Sequence, residues 1–209
     1  MTISIINIIL IITTIISIIG FNNKSLINRM IFIPYDIKNN SNYSRFFTHM
    51  LIHADYGHLL FNMISLYYLG NSLLNFPGGL IYEYGNSIGQ LHFLFLYLLG
   101  GLFASCIPFE RNKDNPNYAS LGASGAVSAI IFASIIWNPS MKLNIMFIPI
   151  DIPAYIFGPL YLFYEFYQDK KNNTGIAHDA HIGGSIFGII YILIINIDKG
   201  LEFINYFFQ

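Results

Sequence analysis

Charged residues are scarce in this chain. Only 10% of its 209 residues are Asp, Glu, Lys or Arg, against about 25% in an average soluble domain. Cys106 is the only cysteine, so neither an intrachain disulfide nor a Cys-x-x-Cys metal site can form. A formal net charge of −1 excludes a basic surface able to hold a phosphate backbone. Nucleic acid is therefore not expected as a partner.

Hydrophobic residues make up 55% of the chain, and they are concentrated in runs long enough to cross about 30 Å of hydrocarbon. Six runs predict membrane-spanning helices at about residues 2–20, 51–70, 90–108, 123–138, 153–168 and 180–197. The runs lack a two-residue alternation, and an open sheet could not satisfy its backbone in lipid. We therefore expect an all-α, multi-pass membrane protein, folded in the lipid bilayer as one domain over residues 1–209.

The connecting segments also carry information. The first run has no basic n-region and no A-x-A-like cleavage site, so we interpret it as a retained helix rather than a signal peptide. Residues 21–49 mix apolar side chains with charges, which predicts a loop half-sunk in the membrane interface. Residues 111–120 and 168–175 are rich in turn formers or polar, which predicts two more loops, both on one side of the membrane.

Three predicted helices carry polar side chains at membrane depth, where such groups are costly and are functional candidates by default. The second holds His58 and Asn62 within FTHMLIHADYGHLLFN. The fourth opens on GASGA, around Ser124, and the sixth on HDAHIGG, around His181. These three segments form the candidate site.

Ser124 lies close to Gly122 and next to Gly125 at the start of an apolar helix. A missing side chain lets another backbone approach there, and free backbone N–H groups point towards the hydroxyl. The segment by itself leaves two interpretations open. It is either a nucleophile with an oxyanion site or a small-residue packing face of the kind common in membrane helices.

His181 is followed after three and seven positions by Gly184 and Gly188. The imidazole and these small residues share one helical face, which can press closely against a neighbour. If that neighbour is the segment 122–125, the imidazole can reach Ser124 and take its proton as acylation proceeds. Each of the two motifs then explains the other.

The remaining polar residues near this helix are less informative. His178 lies one turn before His181 on the same face, and its role stays open. Asp179, two residues from His181, should point elsewhere on the helix, so no carboxylate is identified as its partner. Histidines near helix ends are more often interfacial than catalytic, which is our interpretation of His49, His53 and His92.

His58 and Asn62 are four residues apart and therefore stack on one face of the second helix. Both can donate hydrogen bonds to a developing negative charge. A buried Asn62 can equally hold two helices together, a contribution of about 0.6–2 kcal/mol on typical membrane figures. The two roles are compatible.

Together, RFFTHMLIHADYGHLLFN, GASGA and AHDAHIGGSIFG resemble the three signature regions of the rhomboid proteases, in the family's order, over about residues 43–190. The resemblance implies a six-transmembrane-helix bundle with its core at residues 43–197, and an intramembrane serine endopeptidase that needs no cofactor and no metal. Its substrates would be single-pass or multi-pass membrane proteins, cut within transmembrane helices. The implied catalytic dyad is Ser124 and His181, and the implied oxyanion hole comprises His58, Asn62 and the backbone N–H groups of Ser124 and Ala123.

The resemblance also implies an active site sunk below the membrane surface, with the fifth helix and residues 168–175 acting as gate and cap. It places the chain in a bacterial inner membrane with the site towards the extracytoplasmic side. The positive-inside rule argues for the reverse orientation, because most lysines and arginines lie in the loops beside Ser124. We follow the resemblance on orientation, and the sequence does not predict an oligomeric state.

Two departures from the family's pattern bear on the site. One turn after the serine, where the family often has an aromatic that stacks on the catalytic histidine, this chain has Ser128. His181 must then be held in another way, with His178 or a water as candidates. The family's Trp-Arg pair in the first loop is here Ser44 and Arg45, which keeps an arginine able to tie loop carbonyls.

Two other functions are compatible with parts of this sequence. A catalytically silent relative, binding transmembrane helices as a chaperone, should lack the serine or the histidine, and this chain has both. A membrane metalloenzyme could use His49 and His53, which are four residues apart. No HExxH motif accompanies that pair.

Overall fold

The computed structural model describes residues 4–144, 151–171 and 174–206, and helices dominate this part of the chain. The helices are α1 (Ile5–Phe21), α2 (Lys24–Met30), α3 (Pro34–Asn40), α4 (Arg45–Thr48), α5 (Tyr56–Asn75), α6 (Leu80–Tyr84), α7 (Asn86–Ala104), α8 (Cys106–Asn112), α9 (Ser124–Trp137), α10 (Ala154–Lys171), α11 (His178–Ile195) and α12 (Ile197–Tyr206). A 3₁₀ turn spans His49–Leu51. Two short antiparallel strands, β1 (Lys142–Asn144) and β2 (Asp151–Pro153), pair Leu143 with Ile152.

Six long helices, α1, α5, α7, α9, α10 and α11, correspond to the six predicted spans, of which residues 2 and 3 lie outside the described part. The largest difference is at the second span, where the helix begins at Tyr56 rather than at residue 51. Residues 49–51 form the 3₁₀ turn instead, and Asp55 caps α5 by accepting a 2.7 Å hydrogen bond from the backbone N–H of His58. The all-α fold class is confirmed.

Length and hydropathy give a more restricted result for membrane crossing. Among the described residues, two segments, Asn86–Asn112 and His178–Ile195, are long and apolar enough to span a bilayer. Two shorter apolar helices, Ile5–Phe21 and Ser124–Trp137, fall below that length. The six predicted crossings therefore stay a prediction.

The α9 helix lies at the centre of the bundle, in contact with α5, α7, α10 and α11. All of its residues from Gly125 to Trp137 are buried. The surrounding helices turn large apolar side chains outward, among them Ile11, Leu60, Phe163 and Ile194, which are 56%, 57%, 72% and 76% exposed. An apolar exterior of this extent is typical of a surface covered by another apolar phase.

The connection between α1 and α5, predicted as a loop, is largely helical because it contains α2, α3 and α4. Arg45 holds it together from the inside. Its Nη1 donates to the backbone oxygens of Asn28 and Ile31 at 3.0 and 2.5 Å. Its Nε lies 2.6 Å from Asp36 Oδ2. One guanidinium thus satisfies carbonyls at the end of α2 and a carboxylate on α3.

The segment that leads into α9 is fixed by backbone hydrogen bonds to this first connection. Phe32 and Ser120 exchange two bonds, each 3.0 Å long. The Gly122 N–H donates to the backbone oxygen of His49 at 2.9 Å. The start of α9 is therefore positioned from both the first connection and the bundle.

The two polar stretches predicted as loops meet through an ion pair. Arg111, at the end of α8, contacts Asp169 at 2.9 Å. Because α10 continues to Lys171, residues 168–171 are helical rather than part of a loop. Residues 172–173 of that prediction lie outside the described part.

Candidate active site

Ser124 is the first residue of α9, and His181 lies in the first turn of α11. The His181 Nε2 atom is 2.8 Å from Ser124 Oγ. Both residues are partly exposed. This distance is within the range in which a base can accept a proton from a nucleophile.

Glycines bring the two helices close enough for this contact. A Cβ atom on Gly184 would collide with the backbone carbonyl of Gly125, and one on Gly188 would collide with that of Ala129. The α9 and α11 backbones are therefore in contact along a stripe of small residues. On α11 this stripe lies on the same helical face as His181. Gly125 belongs to the same contact, since a Cβ there would lie 2.6 Å from Ala104 Cβ on α7.

A carboxylate contacts the other ring nitrogen of His181, Nδ1. Glu165 on α10 is 3% exposed, and its Oε2 lies 3.1 Å from His181 Nδ1. Ser124, His181 and Glu165 thus form a continuous line of hydrogen-bonding groups drawn from three helices. The order of nucleophile, imidazole and acid is that of a serine-protease triad.

His178 completes this polar cluster. It is 3% exposed, its Nδ1 lies 2.6 Å from the same Glu165 oxygen, and its Nε2 lies 2.7 Å from Thr174 Oγ1. His178 and His181 are therefore linked by the Glu165 carboxylate, which both rings contact.

Asp179 points away from His181, as predicted. Its Oδ1 accepts a 2.9 Å hydrogen bond from the backbone N–H of Ala180. Its Oδ2 lies 3.3 Å from Arg111 Nη1 on α8. The acid next to the histidine in sequence is thus engaged elsewhere, in agreement with its predicted orientation.

His58 of α5 lies next to the segment that leads into Ser124. The His58 ring packs against Gly122, because a Cβ on that glycine would lie 2.6 Å from His58 Cε1. Gly122 also has a φ of 118°, a conformation that L side chains rarely adopt. Asn62 is 2% exposed, and its Nδ2 donates to the His58 backbone oxygen at 3.0 Å, which uses one of its two amide hydrogens.

The backbone N–H of Ala123 is occupied. It donates to His53 Nε2 at 3.3 Å, and His53 Nδ1 lies 2.9 Å from Ser17 Oγ on α1. His53 is 1% exposed, so the ring is enclosed by protein, and its place at the membrane interface stays a prediction. Sequence pattern could not reveal this role, because the partners of the ring lie on α1 and just before α9.

A family model for the Rhomboid domain matches residues 40–197, well over half of the chain. This chain belongs to the rhomboid family. It is 27% identical over 185 residues to RHOMBOID-like protein 12, mitochondrial, of Arabidopsis thaliana, an alignment that covers 81% of this rhomboid and 51% of the relative. It is 27% identical over 151 residues to the Presenilin-associated rhomboid-like protein, mitochondrial, of Mus musculus, which covers 67% and 35%. The human protein of the same name is 26% identical over 151 residues.

The chain spans about half the length of the plant relative and about a third of the mammalian ones.

In this rhomboid Ser128, one turn after Ser124, contacts a tyrosine hydroxyl from α10. Ser128 is 1% exposed, and its Oγ lies 3.0 Å from the hydroxyl of Tyr161. Tyr161 is one turn before Glu165 on the same helix. The α10 helix therefore supplies both the hydroxyl that contacts Ser128 and the carboxylate that contacts His181.

The two histidines weighed as a metal pair have separate partners. His49 Nε2 lies 3.1 Å from Ser105 Oγ, whereas His53 contacts Ser17 and Ala123. Within the described ranges, the group with metal-ligand spacing is instead Glu165, His178 and His181, whose ligand atoms lie within 4.8 Å of one another.

Glu165 is the site residue that sequence reasoning missed. The signal was present, because an ionisable side chain inside a predicted span is a functional candidate by default. The buried residues of α10 are Ala154, Gly158 and Glu165, and spacings of four and seven place all three on one helical face. The glutamate continues a stripe of small residues that marks the packed side of the helix.

Proposed function

We propose that this rhomboid is a serine endopeptidase that cleaves membrane proteins within the bilayer, with Ser124 as the nucleophile and His181 as the general base. The observation that carries the proposal is the 2.8 Å contact between Ser124 Oγ and His181 Nε2. The proposal also draws support from the family to which the chain belongs.

In the proposed reaction, Ser124 Oγ attacks the carbonyl carbon of the scissile peptide bond while its proton passes to His181 Nε2. The tetrahedral intermediate collapses when the C–N bond breaks, and His181 gives the proton to the leaving amine. A water molecule then hydrolyses the acyl ester by the same route, with His181 again accepting and returning a proton.

The negative charge of the intermediate needs hydrogen-bond donors close to Ser124. The backbone N–H of Ser124 opens α9, where first-turn N–H groups have no acceptor within the helix. His58 packs against Gly122, two residues before Ser124, and Asn62, one turn further along α5, retains a second amide hydrogen. We propose these three as the oxyanion hole. Ala123 can join them only after its N–H leaves His53.

We further propose that α1, α5, α7, α9, α10 and α11 all cross the membrane. The central helix gives a depth for the site. Its 14 residues extend about 21 Å at 1.5 Å per residue, which is less than the hydrocarbon thickness of about 30 Å. If α9 ends near one surface, its first residue, Ser124, lies about 9 Å below the other.

The relatives favour a different membrane from the bacterial inner membrane predicted above. Both relatives carry the word mitochondrial in their names, and we propose a mitochondrial membrane for this rhomboid. Its proposed substrates are membrane proteins whose transmembrane helices unwind locally, because a hydrogen-bonded helix does not offer its carbonyl carbon to a nucleophile.

The proposal is tested by cleavage of a model single-pass substrate in liposomes. We expect Ser124→Ala and His181→Ala each to abolish cleavage, and a chelator to leave it unchanged. Ser134→Ala is the matched control, since Ser134 is a buried serine of the same helix whose Oγ donates to Ile130 O at 2.8 Å. Activity that survives Ser124→Ala would overturn the proposal. A wild-type chain that binds the substrate helix without cutting it would favour the silent binder.

A further inference from the structure

The carboxylate of Glu165 lies at the centre of the polar cluster. It is 3% exposed, and one of its oxygens faces the Nδ1 atoms of both His178 and His181, at 2.6 and 3.1 Å. A buried carboxylate is costly unless donors surround it. Here two imidazole N–H groups are placed to supply that compensation.

The partners of each ring determine where its proton lies. For His181 to accept from Ser124 at Nε2, its proton must be on Nδ1, the atom that faces Glu165. The same arrangement holds for His178, whose Nδ1 faces Glu165 and whose Nε2 can accept from the Thr174 hydroxyl. Every hydrogen bond in the cluster is satisfied when Glu165 is ionised and both rings are neutral.

We propose that Glu165 is a positioning residue that fixes His181 in the tautomer and orientation a base needs, and that compensates the imidazolium when His181 takes the Ser124 proton. This inference rests on the proposed function and adds a third member to the Ser124–His181 pair. It assigns the member to α10, a helix separate from those of the nucleophile and the base. His178 contacts the same carboxylate oxygen and holds it in place.

The same three side chains have the spacing of a metal site, but their present contacts favour the hydrogen-bonded arrangement. His181 Nε2 contacts Ser124 Oγ, and its Nδ1 contacts Glu165 Oε2. A metal ion among the three ligands would have to displace the Nδ1 protons of both histidines. The two arrangements make different predictions for His178 and for chelation.

The experiment compares Glu165→Gln, Glu165→Asp and His178→Ala with the wild type in the liposome assay, with kcat and KM measured separately. Gln keeps the shape of the side chain but can present an N–H to His181 Nδ1, which favours the wrong tautomer. We expect kcat to fall about 10²- to 10⁴-fold with little change in KM. Glu165→Asp should recover part of that loss, and His178→Ala should lose less than Glu165→Gln.

Glu83→Gln is the matched control, because Glu83 is an exposed helical glutamate on α6. It should leave kcat unchanged. Proton NMR of wild type and Glu165→Gln, labelled with ¹⁵N-histidine, gives a readout that packing alone would not move. We expect a downfield His181 Nδ1–H resonance that is lost in Glu165→Gln, while the thermal unfolding midpoint identifies any folding defect.

Two outcomes would overturn the inference. Wild-type kcat in folded Glu165→Gln would do so, and if Ser124→Ala is inactive in the same assay the proposed function still stands. Equal losses in His178→Ala and Glu165→Gln, together with inhibition of the wild type by a chelator, would assign the cluster to a metal instead. Cleavage by Ser124→Ala would reject the proposed function itself.

Discussion

Gly184 of α11 lies directly against the backbone carbonyl of Gly125 of α9, with no room between them for a methyl group. The contact is three residues after His181 and one after Ser124. The distance between the proposed base and nucleophile is therefore set by backbone packing rather than by side chains that could adjust.

This contact predicts that Gly184→Ala destabilises the bundle. The added Cβ meets backbone, which cannot move aside as a flexible side chain can, and overpacking of this kind costs about 1–3 kcal/mol. Gly183→Ala is the control on the same helix, because its nearest contact would be 3.2 Å from Ala104 Cα. Thermal unfolding in detergent should show a larger loss for Gly184→Ala. Equal unfolding midpoints for the two variants would contradict the prediction, because they would mean that α9 and α11 can move apart without a loss of stability.

Asn62→Ala should lower kcat by about 10²- to 10³-fold, the usual loss for one oxyanion-hole donor. Asn71→Ala is a close control. The Asn71 amide also donates to the backbone oxygen four residues earlier on α5, at 2.6 Å, but Asn71 is partly exposed and lies nine residues after Asn62 on the helix. Cleavage kinetics for both variants decide the point. Equal rates for Asn62→Ala and wild type would remove Asn62 from the hole.

Arg45→Lys should loosen the connection between α1 and α5. A lysine lacks the planar fork with which Arg45 reaches Asn28 O, Ile31 O and Asp36. We expect a local destabilisation of about 1–3 kcal/mol, seen as faster limited proteolysis within residues 28–44. Arg29→Lys, at an exposed site on α2, should leave the rate of limited proteolysis unchanged. Equal protection of both variants would contradict an anchoring role.

The same connection should be sensitive to acid. The Asn40 side chain, followed by Asn42 and Arg45, lowers the pKa of Asp36 below its ordinary value even though burial opposes this. A lowered carboxyl pKa contributes stability above the unfolded value of about 3.9, and this stability is lost as the pH falls through the folded pKa. Limited proteolysis between pH 6 and pH 3 should show faster cleavage at the acid end. Asp36→Asn should flatten this dependence, and an unchanged profile would show that Asp36 does not couple to it.

Local pattern was enough to predict the long helices and the three signature segments. The apolar runs depend on composition, and the faces of His58 with Asn62 and of His181 with Gly184 follow from helical spacing alone. The predicted helix boundaries were less accurate where a cap or a 3₁₀ turn precedes the helix, as before Tyr56.

Contacts between distant parts of the chain could not be predicted in this way. Glu165 meets His181 across 16 residues and two helices, so the contact depends on how α10 is rotated in the bundle. His53 meets Ser17 and Ala123 across 36 and 70 residues. In each case the residue type was visible in the sequence, but its partner was decided by tertiary packing.

The contacts of His53 connect the first helix, α1, to the start of α9. The family match begins at residue 40, so α1 lies wholly outside it, yet Ser17 of α1 reaches the residue before Ser124 through one imidazole. A truncated protein that starts at the matched domain would leave that ring without its inner partner. We therefore expect a fragment that begins at residue 40 to lose one of the contacts that position the start of α9.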